Sequence, residues 1–410
     1  MKSKLKFEEH LLSKERKSLL EKIAKEQEEI GYYKLPDQDT SAIVEYAQSL
    51  DKSIETVAVI GIGGSSLGAK AVYEFLKPVK KLQRRLYFFE STDPINIESQ
   101  LEKIDMEKCH VLVISKSGTT VETMAIFKYI YSLDSSSERY TFISEDGSKL
   151  DKFAKSVGIN RFHLQESVGG RFSVLSVVGL LPLALSGVDI VALLQGAAKI
   201  KESFFNDGYI KELLVNKASF YAKNHAIYNI NCLFAYSETM RYFIQWYVQL
   251  WGESLGKKQR NSAFNVGLTP IGLIGPKDQH SFLQLIMEGT RDKSITFIEI
   301  ADFQNELEIP DISLEYLEEM DLLNGVKFSE LISMQSQSVL EALLEEGDIP
   351  IDEIIIDRVD EASMGELIYY YELLTSLVGE LIDVNTYDQP GVEAGKIILK
   401  EKLQQRKKSD

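Results

Sequence analysis

Six short polar stretches stand out because each follows or flanks an apolar run and each collects residue types that handle anions or protons. Near the C-terminus, Tyr387 to Lys396 reads YDQPGVEAGK. Pro390 and Gly391 make a sharp start to a last helix, since Pro fits the first helical position, and Lys396 then falls about a turn and a half in. A lone lysine there is ordinarily a solvated charge, so its meaning depends on the other five stretches.

Gly61 to Gly68 (GIGGSSLG) follows a short β-branched run. It either lets backbone amides approach an anion at a helix N-terminus or reverses the chain tightly; its spacing departs from the GxGxxG dinucleotide pattern. Ser115 to Thr120 (SKSGTT) sets four hydroxyls, a glycine and Lys116 between a strand and a helix. One hydroxyl suffices for a helix cap, so the excess favours a cup for a phosphate dianion, although the GxxxxGK[ST] spacing is absent. In Gly169 to Ser173 (GGRFS), Arg171 is either a structural charge at a helix end or a guanidinium that steadies a developing oxyanion. In Tyr236 to Lys257, Arg241, Gln245 and Gln249 recur every fourth residue of an otherwise apolar helix and lead to Glu253, just after Gly252. That pattern describes a slanting, partly exposed face with an acidic loop at its end, or a carboxylate whose partial burial tunes it as a general base. In Pro276 to Ser281 (PKDQHS), His280 is either a structural histidine or a proton carrier matched to neutral pH.

The elements that must position these groups alternate. Thr56 to Ile60, Leu86 to Glu90, Val111 to Ser115 and Tyr140 to Ser144 read as buried strands, and a second series follows with Asn231 to Tyr236, Thr296 to Ile300 and Glu353 to Val359. Continuous apolar strands alternating with helical patterns predict parallel sheets covered on both faces. The fold class is therefore α/β, with two αβα sandwiches, an N-terminal helical arm and a C-terminal helix. The expected borders are 1–40 for the arm, 41–195 and 196–384 for the sandwiches, and 385–410 for the helix that carries Lys396. Val174 to Leu194 is near membrane length but contains Pro182, Gly187 and Asp189, so it reads as a buried helix plus a turn. Ala301 to Leu323 reads as an exposed acidic excursion, and Ser363 with Glu366 as a capping box opening a long apolar helix.

Composition removes several classes of function. A formal charge of −16 argues against a nucleic-acid binder or an anionic-membrane binder, so an anionic ligand needs a local site. Cys109 and Cys232 are too few for a disulfide framework. The five scattered histidines show neither HxH nor HExxH spacing, which speaks against a zinc site. The charged N-terminus lacks the apolar core of a signal peptide, and a cytoplasmic location is expected.

Taken together, GIGGSSLG, SKSGTT, GGRFS, GESLGK, KDQHSF and YDQPGVEAGK resemble, in content and order, the phosphoglucose isomerase family. The likeness covers most of the chain, from residue 61 to residue 396. It implies two sugar-isomerase (SIS-type) domains and reversible interconversion of glucose 6-phosphate and fructose 6-phosphate through a cis-enediolate, in glycolysis and gluconeogenesis, with no metal or cofactor. It also implies a homodimer in which His280 reaches the neighbouring subunit's site. By position, Glu253 is similar to the family's base, Arg171 to the residue beside the enediolate, and Lys396 and His280 to the pair that opens the sugar ring. Ser65, Ser115, Lys116, Ser117 and Thr120 resemble sugar-phosphate contacts, with Gly64, Gly170, Gln249 and Gln389 lining the site. Leu255 and Ser66 depart from the family's commoner residues without removing a group the chemistry needs. Three rival readings follow: an isomerase that also accepts mannose 6-phosphate, a sugar-phosphate sensor without turnover, and a nicotinamide dehydrogenase resting on the glycine turn alone. The sensor would have no need of Glu253, His280 and Lys396 together.

Overall fold

In the computed structural model, which describes residues 1–262 and 264–409, the chain opens with a strand, β1 (Lys2–Leu5), and not with a helix. The arm's helix is Ser13–Glu29, with Leu19 and Ile23 buried. The strand forms because it pairs antiparallel with the edge of a sheet, which satisfies backbone groups that would otherwise invite another chain.

Two five-stranded sheets follow. The first contains β2 (Thr56–Ile60), β3 (Arg85–Phe89), β4 (Cys109–Ile114), β5 (Tyr140–Ser144) and β6 (Asn160–His163), all parallel in the order β3-β2-β4-β5-β6. All residues of β2 and β4 are buried, as covering on both faces requires. The second contains β7 (Ile230–Ala235), β10 (Thr269–Ile274), β11 (Lys293–Asp302) and β12 (Ile351–Arg358) together with β1, while β8 (Lys257–Lys258) and β9 (Asn265–Val266) form a separate two-stranded hairpin. The order of the second sheet is β1-β12-β11-β7-β10, parallel except for β1. Chain direction across the first sheet reverses between β2 and β4, so the loops that leave their carboxyl ends, the glycine turn and the hydroxyl loop, flank a topological switch point where ligands collect in such sheets.

Between the sheets runs the helix Glu361–Leu381, buried almost throughout, with Tyr369, Tyr370 and Tyr371 fully inside. It begins two residues before Ser363, and its N-cap is Asp360, whose carboxylate accepts from the Ser363 amide. The Ser363 capping box therefore does not form; Glu366 pairs with Lys199 instead. Val174 to Leu194 divides into the helix Val177–Ser186, a turn at Gly187, and the start of the helix Ile190–Phe205. That second helix runs unbroken across the border expected at 195/196. Residues 303–327 form the excursion, exposed along nearly all of its length. Among the described residues no helix is long and apolar enough to cross a membrane.

One buried histidine tests the packing of the first sheet. His110 on β4 is 1% exposed and bonds through Nε2 to Thr141 Oγ1 at 2.9 Å. Burial, with Arg84 and Arg139 nearby, depresses its pKa from 6.5 to about 4. Between those values the unfolded chain binds the proton and the folded one does not, so stability falls as pH drops from about 6.5 to about 4, by at most about 3 kcal/mol. Denaturant midpoints measured across that window are expected to decline in the wild type and to decline less in His110→Gln.

Candidate active site

The glycine turn after β2 and the turn carrying Arg171 are in direct backbone contact. A methyl group built on Gly64 would lie 2.3 Å from the carbonyl carbon and oxygen of Gly170 and 2.8 Å from the Arg171 amide. Gly63, at φ +58°, packs less tightly against the Gln249 side chain, whose Nε2 would lie 2.8 Å from a methyl built there. The glycines therefore serve close approach as well as chain reversal. Ser66 does not cap the helix Leu67–Leu76 that follows; its hydroxyl donates to Glu90 at 2.8 Å, and Lys70 pairs with the same carboxylate. Ser65 is half-buried beside the turn.

Arg171 is buried, with its side chain 1% exposed. Nε donates to Ser254 Oγ at 2.7 Å, one terminal nitrogen to Glu253 Oε2 at 3.4 Å and to Gln389 Oε1 at 2.5 Å, the other to the carbonyls of Thr386 and, at 2.9 Å, Asp388. All five donors of the fork are used. Burial lowers the guanidinium from its usual pKa, and Glu253 and Asp388 oppose that shift.

Glu253 does not sit beyond a helix that stops at Gly252. The helix Arg241–Leu255 continues for another turn, because Ser254 and Leu255 are buried and outweigh the modest helix cost of glycine. The carboxylate keeps 36% of its surface exposed, and its Oε1 accepts from Gln249 Nε2 at 3.3 Å. Of the slanting stripe only Gln249 reaches this point; Gln245 is exposed, and Arg241 pairs with Glu238 on the surface. Gln249 Oε1 is buried without a hydrogen-bond partner, an unspent acceptor on the residue that donates to Glu253.

The hydroxyl loop opens on the helix Val121–Leu133, whose N-cap, Thr120, makes no side-chain cap bond. Thr120 Oγ1 instead meets Ser115 Oγ at 3.1 Å, and Ser117 Oγ meets Thr119 Oγ1 at 2.8 Å. The capping alternative fails on that geometry, and the first-turn amides stay free of a side-chain acceptor, as an anion seat requires. Lys116 behaves differently from an open phosphate cation: its ammonium donates to the carbonyls of Glu166 at 2.8 Å and Val168 at 3.1 Å and lies 3.4 Å from Glu145. It ties the hydroxyl loop to the stretch that leads into Gly169 and Gly170.

His280 and Lys396 are not brought to this cluster within the single chain. His280 is exposed at the end of the short turn Lys277–His280, whose Asp278 and Gln279 are held by Ile274, Tyr236 and the Gln335 carbonyl. Lys396 is on the fourth residue of the last helix, Glu393–Ser409, which follows a short 3-10 turn Pro390–Val392; its ammonium pairs with Glu393 at 2.7 Å, on an exposed face. Sequence reasoning missed four participants: Ser254, Thr386, Asp388 and Lys257. Their one signal was adjacency, to Glu253 or to Gln389, and adjacency says nothing about which carbonyl a guanidinium will choose.

Comparison with known proteins identifies a family for the chain. Its model, phosphoglucose isomerase, matches residues 39–410. The glucose-6-phosphate isomerase of Campylobacter jejuni is 42% identical over 379 residues, covering 91% of each chain. That of Methanocaldococcus jannaschii is 37% identical over 365 residues, covering 86% of each. A glucose-6-phosphate isomerase structure from Chlamydia trachomatis superposes with a TM-score of 0.82 at 25% identity, over 96% of this chain and 85% of that one.

Two glycines in the cluster separate contact from flexibility. Gly64→Ala forces its methyl into the Gly170 backbone and is expected to cost about 1–3 kcal/mol. Gly170→Ala, whose methyl meets nothing within 4 Å, is expected to stay within about 0.5 kcal/mol of wild type. Paired chemical denaturation curves check the contrast.

Proposed function

The chain belongs to the phosphoglucose isomerase family, and from that premise we propose how its residues divide the work of interconverting glucose 6-phosphate and fructose 6-phosphate. The observation that carries the assignment is the pairing of a part-exposed carboxylate, Glu253, with a buried, saturated guanidinium, Arg171, at 3.4 Å. Abstracting a proton beside a carbonyl needs a base that is not fully hydrated and a fixed positive charge where the oxyanion develops. Glu253 takes the C2 proton and returns it at C1; Arg171 stabilises the cis-enediolate between the two transfers. Gln249 and Gln389, hydrogen-bonded to the base and the cation respectively, line the same cleft with Gly64 and Gly170.

Ser65, Ser115, Ser117 and Thr120, with the first-turn amides of the helix Val121–Leu133, hold the phosphate. Lys116 supports that seat by anchoring its loop. Lys396 and His280 carry the proton between ring oxygen and anomeric hydroxyl. On this reading the two sheets belong to two sugar-isomerase domains, at approximately 41–195 and 196–384, joined through the helix Ile190–Phe205.

The enzyme works in the cytoplasm as a homodimer, with His280 supplied across the interface. Supporting the dimer, a single chain leaves Leu307, Ile312, Leu314, Tyr316 and Leu322 of the excursion and Ile397, Ile398 and Leu403 of the last helix exposed, apolar side chains that a partner subunit could cover.

Two measurements test the reading. Fructose 6-phosphate turnover, coupled to a glucose-6-phosphate-specific dehydrogenase with chelator present, is expected to persist in the wild type and to fall about 10³-fold in Glu253→Gln. Equal co-expression of Glu253→Gln and His280→Ala chains is expected to recover about a quarter of wild-type activity, because half the dimers are mixed and each carries one intact site. No recovery would assign His280 to its own chain's site.

A further inference from the structure

Lys257 has no part in the division of labour above, yet it is among the most committed cations near the site. It lies four residues past Glu253, at the start of the β8–β9 hairpin, and its side chain is only 8% exposed. An ammonium has three N–H donors, and Lys257 spends them on the Asn385 carbonyl at 2.8 Å, the Asp388 carbonyl at 2.5 Å and Asp388 Oδ1 at 3.0 Å. The Asp388 carbonyl also accepts from Arg171. Two buried cations thus converge on one peptide oxygen, a costly arrangement unless the geometry it fixes is needed.

That geometry is the path of residues 385–389, which carry Gln389 to Arg171 and lead on to Lys396. The rest of the hairpin holds a different part of the chain: Gln259 bonds the Ile382 carbonyl, the Arg260 amide the Asp383 carbonyl, Arg260 the Glu380 carboxylate and Asn261 the Asp383 carboxylate. Among the described residues on the side of the base helix, only Lys257 reaches the carbonyls at 385 and 388.

We propose that Lys257 is a positioning residue for the isomerisation, clipping residues 385–389 to the end of the base helix and so setting where Gln389 and Arg171 stand relative to Glu253. The proposal rests on the isomerase reading of the site. It adds a residue that touches neither substrate nor reacting atoms and acts through Asp388 and Arg171. The phosphate seat lies on the first sheet, away from this clip, so the proposal separates kcat from phosphate binding.

The test uses the full chain with Lys257→Met, which keeps the stem and removes the ammonium, and Lys258→Met on the exposed neighbour as control. The clip predicts a kcat for fructose 6-phosphate about 10- to 100-fold lower in Lys257→Met, with KM and competitive inhibition by inorganic phosphate within about twofold of wild type. Peptide-level hydrogen exchange should quicken over 384–389 and stay unchanged over the helix Glu361–Leu381. A kcat within twofold of wild type overturns the proposal. So does a fall in kcat accompanied by lost protection across Glu361–Leu381 and weakened phosphate inhibition, which marks general destabilisation. If Lys257→Met does not fold, Asp388→Ala removes one of the three acceptors and is expected to lower kcat severalfold at unchanged KM; unchanged kcat there overturns the clip. A wild-type chain without turnover defeats the isomerase reading instead, and exchange over 384–389 in the variant then decides the clip alone.

Discussion

A guanidinium taken out of water must find an acceptor for each of its N–H groups, or the fold bears the cost of every one left over. Arg171 meets that condition by drawing acceptors from two separate parts of the chain: Ser254 and Glu253 on the helix Arg241–Leu255, and Thr386, Asp388 and Gln389 on the segment before the last helix. Its own backbone is fixed by the Gly64 contact to the first sheet. The side chain is therefore the joint at which the glycine turn, the base helix and the C-terminal segment meet. Moving the helix or the C-terminal segment strands an N–H, and moving the glycine turn releases the backbone that aims the fork. The position of the carboxylate relative to the cation is thus a consequence of satisfying a buried charge, which is a stronger constraint than a surface ion pair supplies.

The N-terminal arm reinforces that joint from behind. Tyr387 lies between Thr386 and Asp388, and its hydroxyl donates to Glu26 at 2.6 Å and lies 2.9 Å from the Ser376 hydroxyl. Tyr33 donates to the same Glu26 oxygen at 3.0 Å. Burial raises the Glu26 pKa, and the two tyrosine hydrogen bonds oppose that shift. An element distant in sequence and bearing none of the chemistry thus helps hold the backbone whose carbonyls Arg171 uses.

How much of this could be read from residues alone depended on the range of the interaction. Strand patterns are local and sit close to where they were expected: Thr56 to Ile60 and Tyr140 to Ser144 coincide with β2 and β5. Strands lacking an unbroken apolar run, β6 with its Asn160, Arg161 and His163 and β10 with its Pro270 and Gly272, carried no such signal and escaped notice. The lysine clip, the Gly64 contact and the saturation of Arg171 each join residues more than eighty positions apart, and no local pattern encodes the pairing. Ser363 failed for a different reason: two acceptors competed for one helix start, and Asp360 won. Lys116 sits in the expected loop, and its bonds to the carbonyls of a neighbouring loop are again a long-range pairing that no local pattern encodes.

That commitment of Lys116 bears on how an acidic protein can hold a phosphate at all. With a net charge of −16 the average field repels an anion, but screening confines that field to about 8 Å at physiological salt, so the decision falls to the immediate surroundings. There the loop offers hydroxyls and helix amides, neutral dipoles already paired with one another in Ser115–Thr120 and Ser117–Thr119 and so held in place before a ligand arrives. Dipoles of this kind bind a dianion without importing a counter-charge that could wander toward Glu253 and quench its basicity. On the proposed division of labour, the permanent cation is kept where charge appears only during reaction, at Arg171. Separating a neutral seat for the resident charge from a buried cation for the transient one lets each be strong without weakening the other, which is what preferential stabilisation of a transition state demands.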